Sequence, residues 1–363
     1  MAFACGNLFA ADPLTGGGKK FKAVLLSSAQ SNSRELRRFV QAGYNTAVLY
    51  LTDEDSRKAT KTATERILTT GLDLYYWIEV ARNPAMAKTH PEWMASIQTH
   101  PEWRRHFPTF PQPATNEVVK NYPWVPVLYQ ETFEPHRARV ADLLRDLPSP
   151  KGIFLNDLQG APSACGCGNS YCRWTTDYGP KLTAARLPND AAARFVAAVA
   201  KLAPQAKIVP VWTTECLEKD GPPGAPCDGV GCFSGKCWRE YTAQLMPVAD
   251  QCDTIGVLLP FHAFEKERTA YGDHAEWQKH ALTSFIEIPP KRGGKAIPLN
   301  RLIAVLQGWD LTPAQQTLQV KQSEDAGVGG YLLALAKIDQ SWEPRLLKVP
   351  QFKSADGTDV HAH

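Results

Sequence analysis

Three carboxylic acids follow apolar runs of the sequence, at places where a buried strand would end. Asp157 comes directly after Asn156 at the end of one run, Glu215 comes soon after the next run, and Glu79 lies near the end of an earlier one. Two carboxyl groups on neighbouring strands can share the acid, base and nucleophile roles that the hydrolysis of a glycosidic bond requires. We therefore take Asp157, Glu215 and Glu79 as catalytic candidates, with Asp157 as acid/base and Glu215 as its partner.

Other polar and aromatic residues near the ends of these runs form a second set. Aromatic faces suit the stacking of sugar rings, and amides suit hydrogen bonding to hydroxyl groups. The substrate-binding candidates are Asn156, Tyr76, Trp212, Gln307, Trp309, Asp310 and His262. Purely structural roles are the alternatives: Asp157 could cap a helix, Glu79 could form an ion pair with Arg82, and the two tryptophans could be core residues.

Eight apolar runs alternate with helix-like segments along the chain. They cover residues 21–27, 46–51, 72–80, 152–155, 207–213, 254–259, 302–306 and 330–335. This pattern predicts an α/β fold, a (β/α)8 TIM barrel with long, cysteine-containing βα loops, in which the strand ends meet at one rim. A doubly wound open sheet is the alternative, but no Gly-rich phosphate loop follows the first run.

The remaining segments set the predicted domain boundaries. Residues 1–18 are expected to be a signal-like or disordered leader, 19–350 a single barrel domain, and 351–363 a disordered tail. Within the barrel, residues 81–123 read as a long irregular excursion in which His-Pro-Glu-Trp occurs twice, at 90–93 and 100–103. Two copies are too few for a repeat architecture.

Composition excludes several classes of protein. The chain has 363 residues, 44% of them hydrophobic, and a formal net charge of +3. Without a dense block of Lys and Arg, nucleic acid is disfavoured as a partner. No apolar run approaches the roughly 18 residues that a membrane span needs. These features predict a globular protein with a large core.

The nine cysteines are unevenly distributed. Eight are disulfide candidates: Cys165, Cys167, Cys172, Cys216, Cys227, Cys232, Cys237 and Cys252. The ninth, Cys5, lies in a partial secretory signal, so we expect a secreted or periplasmic protein. Its surroundings are similar to a lipoprotein cleavage site, which makes Cys5 a candidate site for a lipid anchor. A thiolate metal site fits the spacing poorly, and a cytosolic protein with free thiols is the other alternative.

Several short motifs resemble those of barrel glycoside hydrolases. Asn156-Asp157 is similar to the end of the fourth strand in those enzymes, where a catalytic acid follows a polar residue. The His-Pro-Glu-Trp loop and the Cys-x-Cys run resemble segments of uncharacterised hydrolase-like and α-glucuronidase-like barrels. Two departures stand out: Asp replaces the Glu of the largest clan, and no clear Glu ends the seventh strand.

Three hypotheses of function follow. The first is a glycoside hydrolase-like barrel that acts on carbohydrate by carboxylate acid/base catalysis. The second, motivated by the missing seventh-strand Glu, is a non-catalytic carbohydrate-binding barrel. The third is a metal-dependent hydrolase using His262, although no His-x-His or His-Glu-x-x-His spacing supports it. The first two need no metal or cofactor, and oligomeric state is left open.

Overall fold

The apolar runs form strands in a computed structural model that describes residues 20–97, 104, 107–127, 130–158, 187–213, 245–262, 274–291, 293–339 and 341–348. The strands are β1 (Phe21–Leu26), β2 (Thr46–Leu51), β3 (Asp73–Glu79), β4 (Glu117–Tyr122), β5 (Gly152–Asn156), β6 (Lys207–Thr213), β7 (Ile255–Leu259), β8 (Leu302–Gln307), β9 (Gly330–Ala334) and β10 (Glu343–Lys348). The helices are α1 (Ser33–Gln41), α2 (Arg57–Thr69), α3 (Pro84–Thr89), α4 (Gln130–Leu144), α5 (Leu187–Leu202), α6 (His274–Lys291) and α7 (Pro313–Ala326).

Eight parallel strands close into a barrel in the order β1-β2-β3-β5-β6-β7-β8-β9. Closure is made by β1 and β9, where Phe21 pairs with Gly330. Helices stand between successive strands, so the predicted (β/α)8 barrel is confirmed. Each of the eight predicted runs supplies one barrel strand.

The barrel strands bury both of their faces, which explains why they read as continuous apolar runs. Residues such as Phe21, Tyr75 and Phe154 fill the interior, and their rings lie 5.4–6.0 Å apart between centroids. The alternate residues face the surrounding helices in a second, larger core. Gly152 begins β5 because a Cβ there would meet the Tyr75 ring and lie 2.8 Å from the Lys207 carbonyl oxygen.

The excursion after β3 is more ordered than the sequence predicted. It contains α3 and β4, and β4 pairs antiparallel with β10 near the other end of the described chain. The Arg345 guanidinium lies 3.3 Å from the centroid of the Tyr122 ring across this pair. Ile97 and Val119 pack with Phe107, Phe110 and Trp342 under it. The prediction of an irregular excursion was therefore wrong for this part of the chain.

Capping residues mark the ends of several helices. Asn32 and Ser56 cap α1 and α2 with their side chains, and Thr312 with Gln315 forms a capping box at α7. Gly327 ends α7 in the left-handed conformation, with φ 79°. Within the described ranges, no helix is long and apolar enough to cross a membrane.

Candidate active site

Two neighbouring barrel strands bring a glutamate and an aspartate together at the carboxyl-terminal rim. Glu79 ends β3 and lies beside Asn156, the last residue of β5, in the strand register. Glu79 and Asn156 share the inward-facing alternation of Trp77 and Phe154, so both side chains point into the mouth of the barrel. Asp157 follows with φ 59°, in a left-handed conformation that non-glycine residues seldom adopt.

Four neighbouring side chains act on Glu79. Its Oε1 accepts a hydrogen bond from the Trp77 indole Nε1 at 2.6 Å, and its Oε2 accepts one from Asn156 Nδ2 at 2.8 Å. It also shares a side-chain hydrogen bond with Asp157, and the Arg82 charge acts on it. A hydrogen bond between two carboxyl groups requires a proton on one of them. We call these two residues the carboxyl pair.

Burial has the largest effect on the pKa of Glu79. The residue is 7% exposed, and Asp157 is 6% exposed. Loss of water raises the pKa of Glu79, while the hydrogen bonds from Trp77, Asp157 and Asn156 and the Arg82 charge lower it without cancelling the effect of burial. The carboxyl pair therefore keeps its proton at higher pH than an exposed glutamate would.

Two arginines fix the backbone and surroundings of the carboxyl pair. Arg139 on α4 donates from Nη1 to the Glu79 carbonyl oxygen at 2.7 Å and from Nε to Asp53 Oδ2 at 2.6 Å. Arg82 donates from Nη2 to Asp339 Oδ2 at 2.6 Å and to the Ser341 carbonyl oxygen at 2.8 Å. Arg82 therefore joins the end of β3 to the segment that leads into β10.

The other side of the rim, over β7 and β8, brings together four of the predicted residues. Gln307 accepts the His262 backbone N–H on Oε1 at 3.2 Å and donates from Nε2 to the Trp309 carbonyl oxygen at 3.0 Å. The His262 Nε2 lies 3.2 Å from the Asp310 carbonyl oxygen. Gln307 is buried, Trp309 is half-buried against the barrel interior, and His262 and Asp310 are exposed.

A chain of buried amides supports this side from behind. Gln319 on α7 donates to the Gln307 carbonyl oxygen at 2.9 Å, and Gln316 donates to the Gly308 carbonyl oxygen at 2.6 Å. Gln278 on α6 donates in turn to the Gln319 carbonyl oxygen at 2.9 Å. Helices α6 and α7 thus hold the backbone from which Trp309 projects.

Two predicted substrate-binding residues face the other way. Tyr76 and Trp212 lie in the core between the barrel and the helices, and both are fully buried. The Tyr76 hydroxyl donates to the Pro148 carbonyl oxygen at 2.7 Å, close to the amino-terminal end of β5. The structure does not bring either residue to the rim, because each stands one position away from an inward-facing residue.

The remaining predicted residues divide into two groups. Glu215 and the cysteines other than Cys252 lie outside the described residues. Cys252 is a free, buried thiol, and burial raises its pKa to about 12. It precedes β7 at the amino-terminal end of the barrel, whereas the segments that carry the other clustered cysteines follow the carboxyl-terminal ends of β5 and β6. The disulfide predicted for Cys252 is not formed in this structure.

Sequence reasoning missed Tyr50 and Arg139, and it did not choose Trp77 as a site candidate. Tyr50 and Trp77 are register partners on β2 and β3, and both side chains belong to the barrel interior. The alternation of inward residues along each strand, Val48 then Tyr50 and Tyr75 then Trp77, was the signal that could have found them. Nothing in the sequence pointed to Arg139. Among the residues with described positions, no group of three or more His, Cys, Asp and Glu side chains could hold a metal ion.

Comparison with known proteins gives structural likeness without sequence likeness. No protein-family model and no curated protein sequence matches the chain. Solved structures that resemble it include the endo-1,4-beta-D-mannanase of Thermotoga petrophila, with TM-score 0.47, 11% identity, 95% of this chain and 94% of that chain covered. A chitinase from Chromobacterium violaceum has TM-score 0.46 and 10% identity, with 89% of this chain and 96% of that chain covered. A beta-galactosidase from Marinomonas ef1 has TM-score 0.49 and 10% identity, with 86% of this chain and 53% of that chain covered. At these identities the likeness concerns the fold alone.

Proposed function

We propose that this barrel hydrolyses glycosidic bonds, with the carboxyl pair as its proton donor. The observation that carries the proposal is the hydrogen-bonded, buried Glu79–Asp157 pair at the carboxyl-terminal rim of the barrel. This rim is where barrel enzymes place their chemistry. Departure of a sugar needs an acid that is still protonated near neutral pH, and burial is the usual means of providing one.

Asp157 is the member that we place as the donor. Both oxygens of Glu79 already accept hydrogen bonds, from Trp77 and Asn156, so Glu79 is suited to remain the carboxylate while Asp157 carries the proton. Asp157 also stands one residue beyond the last residue of β5. When the proton leaves with the departing alcohol, two adjacent carboxylates remain. Their repulsion favours recovery of a proton from water, which regenerates the pair and supplies the base step.

The carboxyl pair does not provide both groups of a conventional glycosidase. Retaining enzymes separate their two carboxyl groups by about 5–5.5 Å and inverting enzymes by more, whereas Glu79 and Asp157 are in hydrogen-bond contact. A second group must therefore act from the opposite face of the sugar. Glu215, two residues beyond the end of β6 in the sequence, is the candidate that we keep for this role. Strand β6 itself lies next to β5 in the barrel.

The β7–β8 side of the rim is proposed to bind the sugar. Trp309 offers an aromatic face, Gln307 has its amide orientation set by its two hydrogen bonds, and the exposed His262 and Asp310 add polar groups. An aromatic surface with a few fixed polar groups is the usual composition of a carbohydrate site.

The test is a panel of aryl glycosides with two leaving groups. Wild type is assayed on 2,4-dinitrophenyl and 4-methylumbelliferyl glycosides of the common sugars, beside Asp157→Asn and Glu79→Gln. The matched control is Glu35→Gln on α1, a half-exposed residue that is paired with Arg38. Loss of the acid should lower kcat/KM by about 10²–10⁴-fold on the poorer methylumbelliferyl leaving group and by much less on dinitrophenol. Glu35→Gln should match wild type.

Three outcomes decide the proposal. No turnover by wild type on any member of the panel overturns it. Turnover that Asp157→Asn and Glu79→Gln leave unchanged also overturns it. Sugar binding without turnover, measured by calorimetry with the same glycosides, favours the non-catalytic carbohydrate-binding barrel.

A further inference from the structure

Tyr50 reaches the carboxyl pair from a third strand. It is the next-to-last residue of β2, follows Val48 in the inward-facing alternation, and packs on the barrel interior while remaining only half-buried. Its register partner is Trp77, whose indole donates to Glu79. Strand β2 therefore presents the phenol at the mouth of the barrel, beside the group that Trp77 holds.

The surroundings of Tyr50 keep its hydroxyl protonated. Burial first, and then the charges of Glu79 and Asp157, raise the pKa of Tyr50 far above its ordinary value, and the charges of Arg82 and Arg139 offset this only in part. A protonated phenol can donate a hydrogen bond.

The Tyr50 hydroxyl has an unused hydrogen-bonding capacity. Within the part of the chain that the structure describes, no group hydrogen-bonds to it. Other tyrosines of the barrel differ: Tyr76 donates to the Pro148 carbonyl oxygen, and Tyr44 and Tyr331 share a hydrogen bond. A half-buried donor that faces a carboxyl pair is suited to an oxygen atom brought by a ligand.

We infer that Tyr50 is a further catalytic residue, whose hydroxyl donates a hydrogen bond to a substrate hydroxyl beside the reacting carbon. This inference rests on the proposed glycosidase function. A hydrogen bond to that part of the sugar strengthens as charge develops at the reacting carbon, so it contributes to kcat more than to binding. Tyr50 then fixes the sugar from β2 while the acid acts from β5.

The test compares two tyrosine-to-phenylalanine variants of the full chain. Tyr50→Phe removes the proposed donor, and Tyr75→Phe removes a hydroxyl from the deepest layer of the same barrel interior. On the best aryl glycoside of the panel, Tyr50→Phe should lower kcat/KM by about 10²-fold, mainly through kcat, as expected for loss of a donor to the transition state. Tyr75→Phe should stay within about twofold of wild type.

The pH profile and a rescue variant separate this role from a structural one. Both limbs of the pH profile should keep their positions in Tyr50→Phe, since the phenol does not titrate there. Tyr50→His, which returns an N–H donor, should recover part of the lost kcat. If wild type turns over the substrate and Tyr50→Phe does so equally well, the role of Tyr50 is overturned and the proposed function stands. If wild type turns over no member of the panel, both are overturned.

Discussion

On the β3–β5 side of the rim the functional side chains bond to one another, whereas on the β7–β8 side they bond to backbone atoms. Glu79 takes hydrogen bonds from Trp77, Asn156 and Asp157, all of them side chains. Gln307, in contrast, accepts a backbone N–H of His262 and donates to a backbone carbonyl of Trp309. Movement of a proton would change the first arrangement, whereas the two hydrogen bonds of Gln307 involve no ionisable group. The rim thus combines a titrating side, which carries the carboxyl pair, with a side where amide hydrogen bonds to the backbone fix the positions of the residues.

The largest expected effect comes from removing the centre of the titrating side. Glu79→Ala leaves the Trp77 indole N–H and the Asn156 amide buried without their acceptor, and we expect a loss of roughly 3–5 kcal/mol in the free energy of unfolding. The matched variant on the other side, Gln307→Ala, should cost only about 1 kcal/mol, because the exposed His262 lets water replace the lost bonds. Urea denaturation measures both. Equal losses would remove the distinction between the two sides.

A second effect concerns the support behind the titrating side. His136 on α4 donates from Nε2 to the Val125 carbonyl oxygen at 2.8 Å, and the Val125 N–H donates to the Ala81 carbonyl oxygen two residues after Glu79. Burial, then the charge of Arg139, lowers the pKa of His136 from 6.5 to about 4, against the opposing effect of its bond to Val125. His136 therefore binds a proton when the protein unfolds at acid pH, because the folded state disfavours its charged form.

The stability that His136 contributes is complete above pH 6.5 and is lost as pH falls towards about 4, a change of about 3 kcal/mol. His136→Gln keeps a donor for Val125 and should lose less stability over this window. Denaturation curves of the two proteins between pH 7 and pH 4 provide the comparison. Parallel curves would show that His136 plays no part in the acid sensitivity.

The smallest effect tests how Arg82 tunes the acid. The Arg82 charge lowers the pKa of Glu79, so Arg82→Gln should move the limb of the pH profile of kcat/KM that reports the carboxyl pair towards higher pH. Arg82→Lys keeps the charge and should move it less, although it loses the fork that reaches both Asp339 and Ser341. An identical profile in Arg82→Gln and wild type would exclude Arg82 from the site's electrostatics.

The sequence was sufficient for the barrel because each strand is a separate local signal. Eight apolar runs between capped helices, such as the one that Thr312 and Gln315 begin, specify alternation without any long-range information. The pairing of β4 with β10 carries no such signal. It joins two short polar-apolar strands from distant parts of the chain, one of which begins Glu343-Pro344.

Which side chains point into the barrel was predicted less well than the fold, for a reason that lies in the barrel itself. Both faces of a barrel strand are buried, so hydrophobicity does not reveal which residues point inward. Tyr76 was therefore preferred to its neighbours Tyr75 and Trp77, and Tyr50 was overlooked. Residues at the very ends of strands escape this ambiguity, and Glu79, Asn156 and Asp157 are such residues.

The β4–β10 pair also has a consequence for how the protein is made. Strand β4 leaves the ribosome more than two hundred residues before the partner that completes its hydrogen bonds. Contacts of such long range form slowly, so the covering of the β3 side should be the last step of folding. Until then β4 exposes an edge with Val118 and Val119, which invites pairing with another nascent chain. A chaperone that shields this edge would raise the yield of folded protein more than one that assists the barrel.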